Sequence, residues 1–517
     1  MARVPPSLTS IPHEILDHVV SFLTTQDTAH LARTTRYLKV KLELSLYRNI
    51  NIVWPLYGDG CRKIDRDPLP PLRSLLQRLL EAPRLVEVVQ SINIRTTKIE
   101  GHPEAYFMPN SIIRRRSRPR TEVTTLHKNA IRAAGLRDPV KWVVELNTNN
   151  FDAYLALILS LCRNIQSIEI GTGLLWNNRL LPEMFESMVA MHTANGDANY
   201  QLFPQLQFLD LGETSRRICW EEGSPYFSEP GLYQRYPKID WYLSLLRAKR
   251  LVHIRLALCW SFIKTSDPRL VKNQHLTYVK SLCLVLGPYS PGNLKWLLAR
   301  VPSLKKLEYD QAALSTMKES LNRYDTIQDN LLVVKDSLEH LRLTVCSWYH
   351  PTLPPVAHPP ASFSSLSHTP LNFKPLCHLR TLHISLASLS GIPLSIFIYE
   401  NLSERDFIVL NRQIFDPTFW HCLPESLEHL VLFERNWYKS FREEHWSMGE
   451  FLLMTLTVIL LNQDWRAVTP HLQRIDVDAS ANKNIFLPEE ERDFVLVCED
   501  QGLACNFIDS SVQWDKL

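Results

Sequence analysis

A chain of 517 residues is too long for one ordinary hydrophobic core, so its length points to several domains or to a stacked array of repeats. The composition is 45% hydrophobic and 21% charged with a net charge of +3, that of a globular chain with no strong overall pull on nucleic acid or anionic membranes. Fifteen glycines are few, and neither a GxGxxG fingerprint nor a P-loop is present, so no phosphate-cradling loop is expected.

The first fifty residues read as a small helical unit. In "LTSIPHEILDHVVSFL" (residues 8–23), Pro12 suits a helix start, because its φ is preset and its missing N–H is not needed there. Ile15, Leu16, Val19, Phe22 and Leu23 recur at helical spacing. The acids and histidines His13, Glu14, Asp17 and His18 resemble a site at first sight. At about 100° per residue, however, five steps set His13 and His18 roughly 140° apart, and no HxH or CxxC elsewhere supplies further ligands. The expected reading is a solvated polar face, with no catalytic residue, no metal and no cofactor. The apolar half of the same helix spans about half its circumference, more than two short neighbouring helices cover, and so implies a partner.

Thr24 followed by Asp27 resembles a capping box and opens a second helix around "TAHLARTTRYL". A third helix, "VKLELSLYRNI", runs into the alternating strand pattern "NINIVW". Beyond residue 80 one form repeats, as in "FPQLQFLDL", "VPSLKKLEY", "DSLEHLRLT", "CHLRTLHIS", "ESLEHLVLF" and "PHLQRIDVD". Each has a Pro, Ser or His before an apolar residue and then L-x-x-L-x-L spacing. Weaker copies are "VVQSINI", "RNIQSIEI", "KRLVHIRL" and "YVKSLCL". The leading residues are Val89, Ile165, Leu206, Leu251, Val279, Leu304, Leu338, Leu379, Leu427 and Leu472, with gaps of 25 to 76 residues.

Helical material precedes several copies: "FDAYLALILSLC", "DWYLSLLRAKR" and "GNLKWLLARVP". Helix, turn, short strand and loop form the unit of a leucine-rich repeat, here with irregular spacing. The longest gap is expected to hide a degenerate unit near "VKWVVELN". Ten such strands at about 4.8 Å would make a ladder on the order of 45 Å long.

Three inserts interrupt the array. Residues 112–120 pack five arginines into seven positions, a candidate nuclear-localisation or nucleic-acid patch that is more simply a solvated loop. "ICWEEGSPYFSEPG" holds Trp220 and Tyr226, candidate binding anchors. Residues 350–375 contain seven prolines and read as a flexible or polyproline-like excursion. The longest apolar run, residues 451–461, is too short to span a bilayer and reads as a buried helix. Ten cysteines without a CxxC pair fit reduced, buried thiols and a cytoplasmic or nuclear location.

The N-terminal stretch resembles the F-box. Ile11 and Pro12 fall at its "LP" position, "HEIL" stands for "xEIL", and "DTAHLARTTRYLK" is similar to its "DLxxLxxTSRxL" helix. "LYRNINI" resembles the ending typical of F-box proteins of filamentous fungi. The resemblance covers about a tenth of the chain and departs at Ile11, usually Leu, and at Thr28, usually apolar. It implies a fold with a small all-α F-box at 1–50, a connecting strand and helix at 51–80, and an irregular leucine-rich-repeat-like solenoid of short parallel strands and helices at 81–517. It further implies a non-catalytic substrate receptor of an SCF-type cullin–RING ubiquitin ligase. The F-box would dock on a Skp-family adaptor, and through it on the cullin and RING subunits, while the repeats bind an unidentified target protein. By similarity, the adaptor contacts are Leu8, Pro12, Ile15, Leu16, Leu23, Leu31 and Leu38. The alternatives are an F-box scaffold that acts without degradation and an enzyme with a site assembled from distant residues.

Overall fold

Each leucine triplet folds as a tight turn followed by a short strand. In the computed structural model, Leu206, Leu304 and Leu472 each donate a backbone N–H to the carbonyl three residues back, on Phe203, Val301 and Thr469, at 3.2, 3.0 and 3.1 Å. Pro204, Pro302 and Pro470 occupy the second position of those turns, where a fixed φ near −65° is already correct. The recurrent proline ahead of the leucine is therefore turn chemistry. One residue later the backbones link copy to copy. Glu339 N–H bonds to Lys305 O, Arg380 N–H to Glu339 O, and Glu428 N–H to Arg380 O, at 2.8 to 2.9 Å.

The structure describes residues 11–54, 70–96, 122–171, 179–194, 202–211, 245, 248–257, 276–285, 291–314, 323–348, 371–385, 389, 418–433, 453, 456–461, 464–478 and 488–508. They form a mixed α/β fold in two compact units. One comprises Met1–Thr214 with Trp241–Leu251, the other Ser215–Asp240 with Val252–Leu517.

The first unit opens with helices α1 (His13–Ser21), α2 (Thr25–Thr34) and α3 (Arg36–Arg48), then strand β1 (Asn49–Trp54). Helices α4 (Pro70–Glu81) and α5 (Pro83–Val88) lead to β2 (Ser91–Thr96). Next come α6 (Thr125–Ala133), α7 (Pro139–Asn147), α8 (Phe151–Leu161), β3 (Ser167–Ile170), α9 (Leu180–Ala194) and β4 (Phe208–Leu211). Strands β1 to β4 pair in chain order, all parallel. The "NINIVW" strand is thus the first rung of this ladder, with Ile50 opposite Ile92 and Ile52 opposite Ile94.

The second unit carries β5 (His253–Ala257), β6 (Ser281–Val285), α10 (Pro291–Leu298), β7 (Lys306–Leu314), α11 (Arg323–Leu331), β8 (His340–Trp348) and β9 (Thr381–Ser385). It continues with α12 (Thr418–His421), β10 (His429–Phe433), α13 (Trp465–Val468), β11 (Arg474–Asp478), α14 (Pro488–Asp500) and β12 (Ala504–Ile508). These eight strands also pair in parallel and in chain order.

In both ladders the two apolar residues after each leading one point to a single buried face. Leu338, Leu341 and Leu343 are fully enclosed, as are Leu379, Leu382 and Ile384. All ten leading residues are buried. A strand so short cannot bury its leucines alone; stacking neighbours closes the core.

The structure departs from the sequence patterns at four places. "VKWVVELN" is helix α7, opened by Asp138, whose side chain accepts from Lys141 N at 3.1 Å, and by Pro139. No strand lies there, and β2 pairs directly with β3 across the gap. The second and third helices divide one residue after Thr34. Thr35 is extended and caps α3 by accepting from Leu38 N, so "TTRYL" is a helix boundary rather than a helix interior. Residues 350–370 of the proline-rich segment lie outside the described residues; in 371–375 Leu371 and Phe373 are buried and Phe373 N–H bonds to Cys422 O at 2.7 Å, while Asn372, Lys374 and Pro375 are exposed. Finally, Cys162, Cys283 and Cys498 are buried, whereas Cys377 is exposed and Cys422 and Cys505 are half-buried.

Residues 112–120, Trp220 and Tyr226 lie outside the described residues. The described part of the apolar run, 453 and 456–461, is helical, with Leu453, Leu456, Ile459 and Leu460 buried. Among the described residues no helix is long and apolar enough to cross a membrane.

Candidate docking surface

The first three helices share a very small core: Leu16 from α1, Ala32 from α2, and Leu38 and Leu42 from α3. Ile11, Val20, Leu31 and Leu46 pack around it. Caps define each helix. Thr24 accepts from Asp27 N at 3.1 Å and donates its hydroxyl to the Asp27 carboxylate at 2.6 Å, which fixes the start of α2. Thr28, the departure from the F-box pattern, is buried, and its hydroxyl is satisfied by Thr24 O at 3.0 Å.

Against that core the apolar half of α1 divides into two stripes. Leu16, Val20 and Leu23 form the inner one, with Leu16 only 2% exposed. Ile15, Val19 and Phe22 lie within about 60° of one another on the outer side, with Pro12 next to them. Phe22 is 76% exposed and Ile15 53%, and Val19 and Pro12 are exposed as well. His18 lays its ring edge-on against Phe22, with centroids 5.0 Å apart.

Helix α3 repeats the arrangement. Leu38 and Leu42 face inward, while Tyr37, Val40 and Leu44 form an exposed stripe also about 60° wide. A monomer gains nothing by keeping such apolar stripes in water, so they mark surface meant to be covered.

The residues expected to contact an adaptor thus occupy different environments. Leu8 lies outside the described residues. Pro12 and Ile15 are exposed, Leu23 and Leu31 half-buried, and Leu16 and Leu38 enclosed in the segment's own core. Val19, Phe22, Tyr37, Val40 and Leu44 are exposed apolar residues that the sequence reading did not assign to the contact. The available signal for α3 was apolar residues on two sides of one helix: 37, 40 and 44 beside 38, 42 and 46.

Glu43 of α3 points to neither stripe. Its carboxylate is clasped by Arg78 of α4 and Arg84 of α5, one guanidinium on each oxygen. The Arg78 hydrogen bond is the largest influence and, with Arg84, outweighs burial, holding the carboxyl below its usual range. Burial pushes the neighbouring Tyr47 phenol up.

The second surface is the face of the ladders opposite the leucines. Across β5 to β12 one row reads Arg255, Cys283, Glu308, Arg342, His383, Val431, Asp476 and Asn506. Its charged members are largely enclosed and answer one another. Arg342 Nε stands 3.8 Å from Glu308, and the Cys283 thiol donates to Glu308 at 3.3 Å. His383 Nε2 lies 3.1 Å from Asp478 and sits edge-on to Phe433. Asp476 receives Arg474 Nε at 2.9 Å, the Asn506 backbone N–H at 3.0 Å, and shares a 2.9 Å bond with His429.

One row towards the strand starts, Lys306, His340, His429 and Arg474 are half-exposed. Burial keeps His340 below the ordinary imidazole value, hence neutral at pH 7. Among the described residues no three His, Cys, Asp or Glu side chains converge as metal ligands would. The geometry offers apolar docking at one place and polar contact at another. No protein-family model matches the chain, and no curated protein matches it either.

Proposed function

We propose that the chain is the substrate-recognition subunit of an SCF-type cullin–RING ubiquitin ligase. On this reading the three N-terminal helices are an F-box and the two ladders an irregular leucine-rich-repeat solenoid. The observation that carries it is the outward stripe of Pro12, Ile15, Val19 and Phe22, standing in a segment whose sequence resembles the F-box. A Skp-family adaptor covers that stripe and the exposed one on α3. Leu16, Leu31 and Leu38 hold the stripes in place from beneath. The ladders, through half-exposed positions such as Lys306 and His340, take the target protein, and ubiquitin transfer belongs to the other subunits.

The test is recovery of adaptor and cullin on the intact chain, compared with Ile15→Asp and Phe22→Asp. Buried apolar anchors are worth about 2 kcal/mol or more at an interface, so each substitution should weaken recovery more than about 10-fold. If the intact chain captures neither subunit, the reading fails. If both bind and no cellular protein changes abundance when the chain is removed, the role is scaffolding without degradation.

A further inference from the structure

Helix α3 is a member of two structures at once. Its inner side supplies Leu38 and Leu42 to the three-helix core. Past its last residue, Arg48, the chain enters β1 at Asn49 with no linker, and all six residues of β1 pair with β2. The Gln90 N–H extends that pairing to Arg48 O at 2.8 Å. A tethered module would be joined by a flexible stretch; here the docking helices end in the first rung of the ladder.

A single helix-to-strand junction can still pivot, since a few residues at an element's end absorb hinge motion. Glu43 stands about a turn and a half before that junction and acts as a stay. Its side chain is 10% exposed, and it is tied to α4 and α5 together, through Arg78 and Arg84. Two guanidiniums on the two oxygens of one carboxylate fix direction as well as distance. The cost of desolvating such a group offsets much of its attraction, so the clasp adds little net stability for the orientation it imposes. Both arginines are substantially exposed, 40% and 60%, and return to water readily once Glu43 is removed.

We propose that Glu43 is a positioning residue, which locks the three docking helices at one angle to the β1–β4 ladder. A bound adaptor then meets the ladder in one fixed orientation. This role rests on the docking reading above for its purpose, though not for its geometry.

The experiment measures the joint in the full chain. Nitroxide-bearing residues replace the exposed Arg33 on α2 and Lys128 on α6, and the distance distribution between them is recorded by pulsed electron paramagnetic resonance. The wild type should give one narrow distribution, and Glu43→Ala should widen it by about twofold or more, as a freed hinge does. Thermal midpoints are taken on the same samples. A purely structural role would lower the midpoint and leave the width unchanged.

A broad wild-type distribution overturns the proposal, and so does a Glu43→Ala distribution as narrow as the wild type. If Glu43→Ala does not fold, Arg84→Ala serves, because its guanidinium is largely in solvent; an unchanged width there is equally fatal. Adaptor capture is measured alongside. A chain with a narrow, Glu43-dependent distance and no adaptor binding retains the joint and loses the docking reading. An adaptor-binding chain with a loose joint does the reverse.

Discussion

Helices α1 and α8 are both rich in apolar residues and have opposite fates. In α8 every residue from Phe151 to Ser160 is buried, because α4 and α9 pack against it. Among the described side chains of α1 only Leu16 is fully enclosed, although Ile15, Val19, Val20 and the adjoining Phe22 are as apolar as their counterparts. The difference is the supply of neighbours, not the sequence of the helix. An apolar side chain contributes to stability in proportion to the surface it loses to water. The same residue types therefore act as core in one helix and as an uncovered surface in the other.

The largest effect expected from this contrast falls on α8. Phe151→Ala removes a ring that is 1% exposed and leaves a cavity in the buried core around α8, which should cost about 3–5 kcal/mol. Urea unfolding followed by tryptophan fluorescence would read it. A loss well below that range would mean that α8 is loosely packed and that its contrast with α1 is false.

Next come two buried aspartates, one in each unit, with opposite pH behaviour. Asp152 accepts backbone N–H groups from Arg179, Leu180 and Leu181 at 2.6 to 2.9 Å, closing the start of α9. Burial outweighs those neutral donors and raises its pKa to about 6, from 3.8. Between those values the folded chain binds more protons than the unfolded one, so stability falls as pH rises through the window. The total is on the order of 3 kcal/mol. Asp152→Asn should flatten that slope between pH 4 and 6; a slope unchanged by the substitution refutes the assignment.

Asp476 is buried too, and burial alone would raise it, yet the His429 and Arg474 bonds bring it below the usual carboxylate range. Its contribution is present above the unfolded value and is lost as pH falls through the lower native one. Asp476→Asn should therefore reduce the acid sensitivity of the second unit, a change opposite in sign to that at Asp152.

A smaller loss is expected at Gly135, which has φ +64°, and where a Cβ would meet Met191 of α9 with the Sδ at 2.2 Å. Gly135→Ala combines left-handed strain of about 1–2 kcal/mol with displacement of a flexible thioether. Thermal denaturation should show a modest drop, and no drop would mean that the turn before α7 rearranges freely.

The rungs of the ladders were legible in the chain because ten of them keep the same offsets: a leading apolar residue and two more, three and five residues on. The eleventh such copy escaped for a physical reason. After Leu503 the core positions are Cys505 and Phe507, opposite Ile475 and Val477, so the offsets shrink to two and four. Gly502, at φ +71°, makes the tighter approach possible. On α1 the helical period separated polar from apolar sides correctly. It could not divide Leu16 from Ile15, because that division depends on where α2 and α3 stand. Glu43 gave no signal at all: its partners are 35 and 41 residues away.

The smallest stability effect sharpens the contrast most. Phe22→Ala removes an aromatic ring as large as that of Phe151, yet one that is 76% exposed. Little of its surface is withdrawn from water on folding, so the unfolding free energy should change by less than about 0.5 kcal/mol. If Phe22 were a misplaced core residue, the substitution would unfold the segment and abolish binding for a trivial reason. If it is a docking anchor, adaptor capture falls steeply while stability stays level. The ratio of the two effects, near zero on folding and large on binding, is what separates a surface awaiting a partner from a core that failed to close.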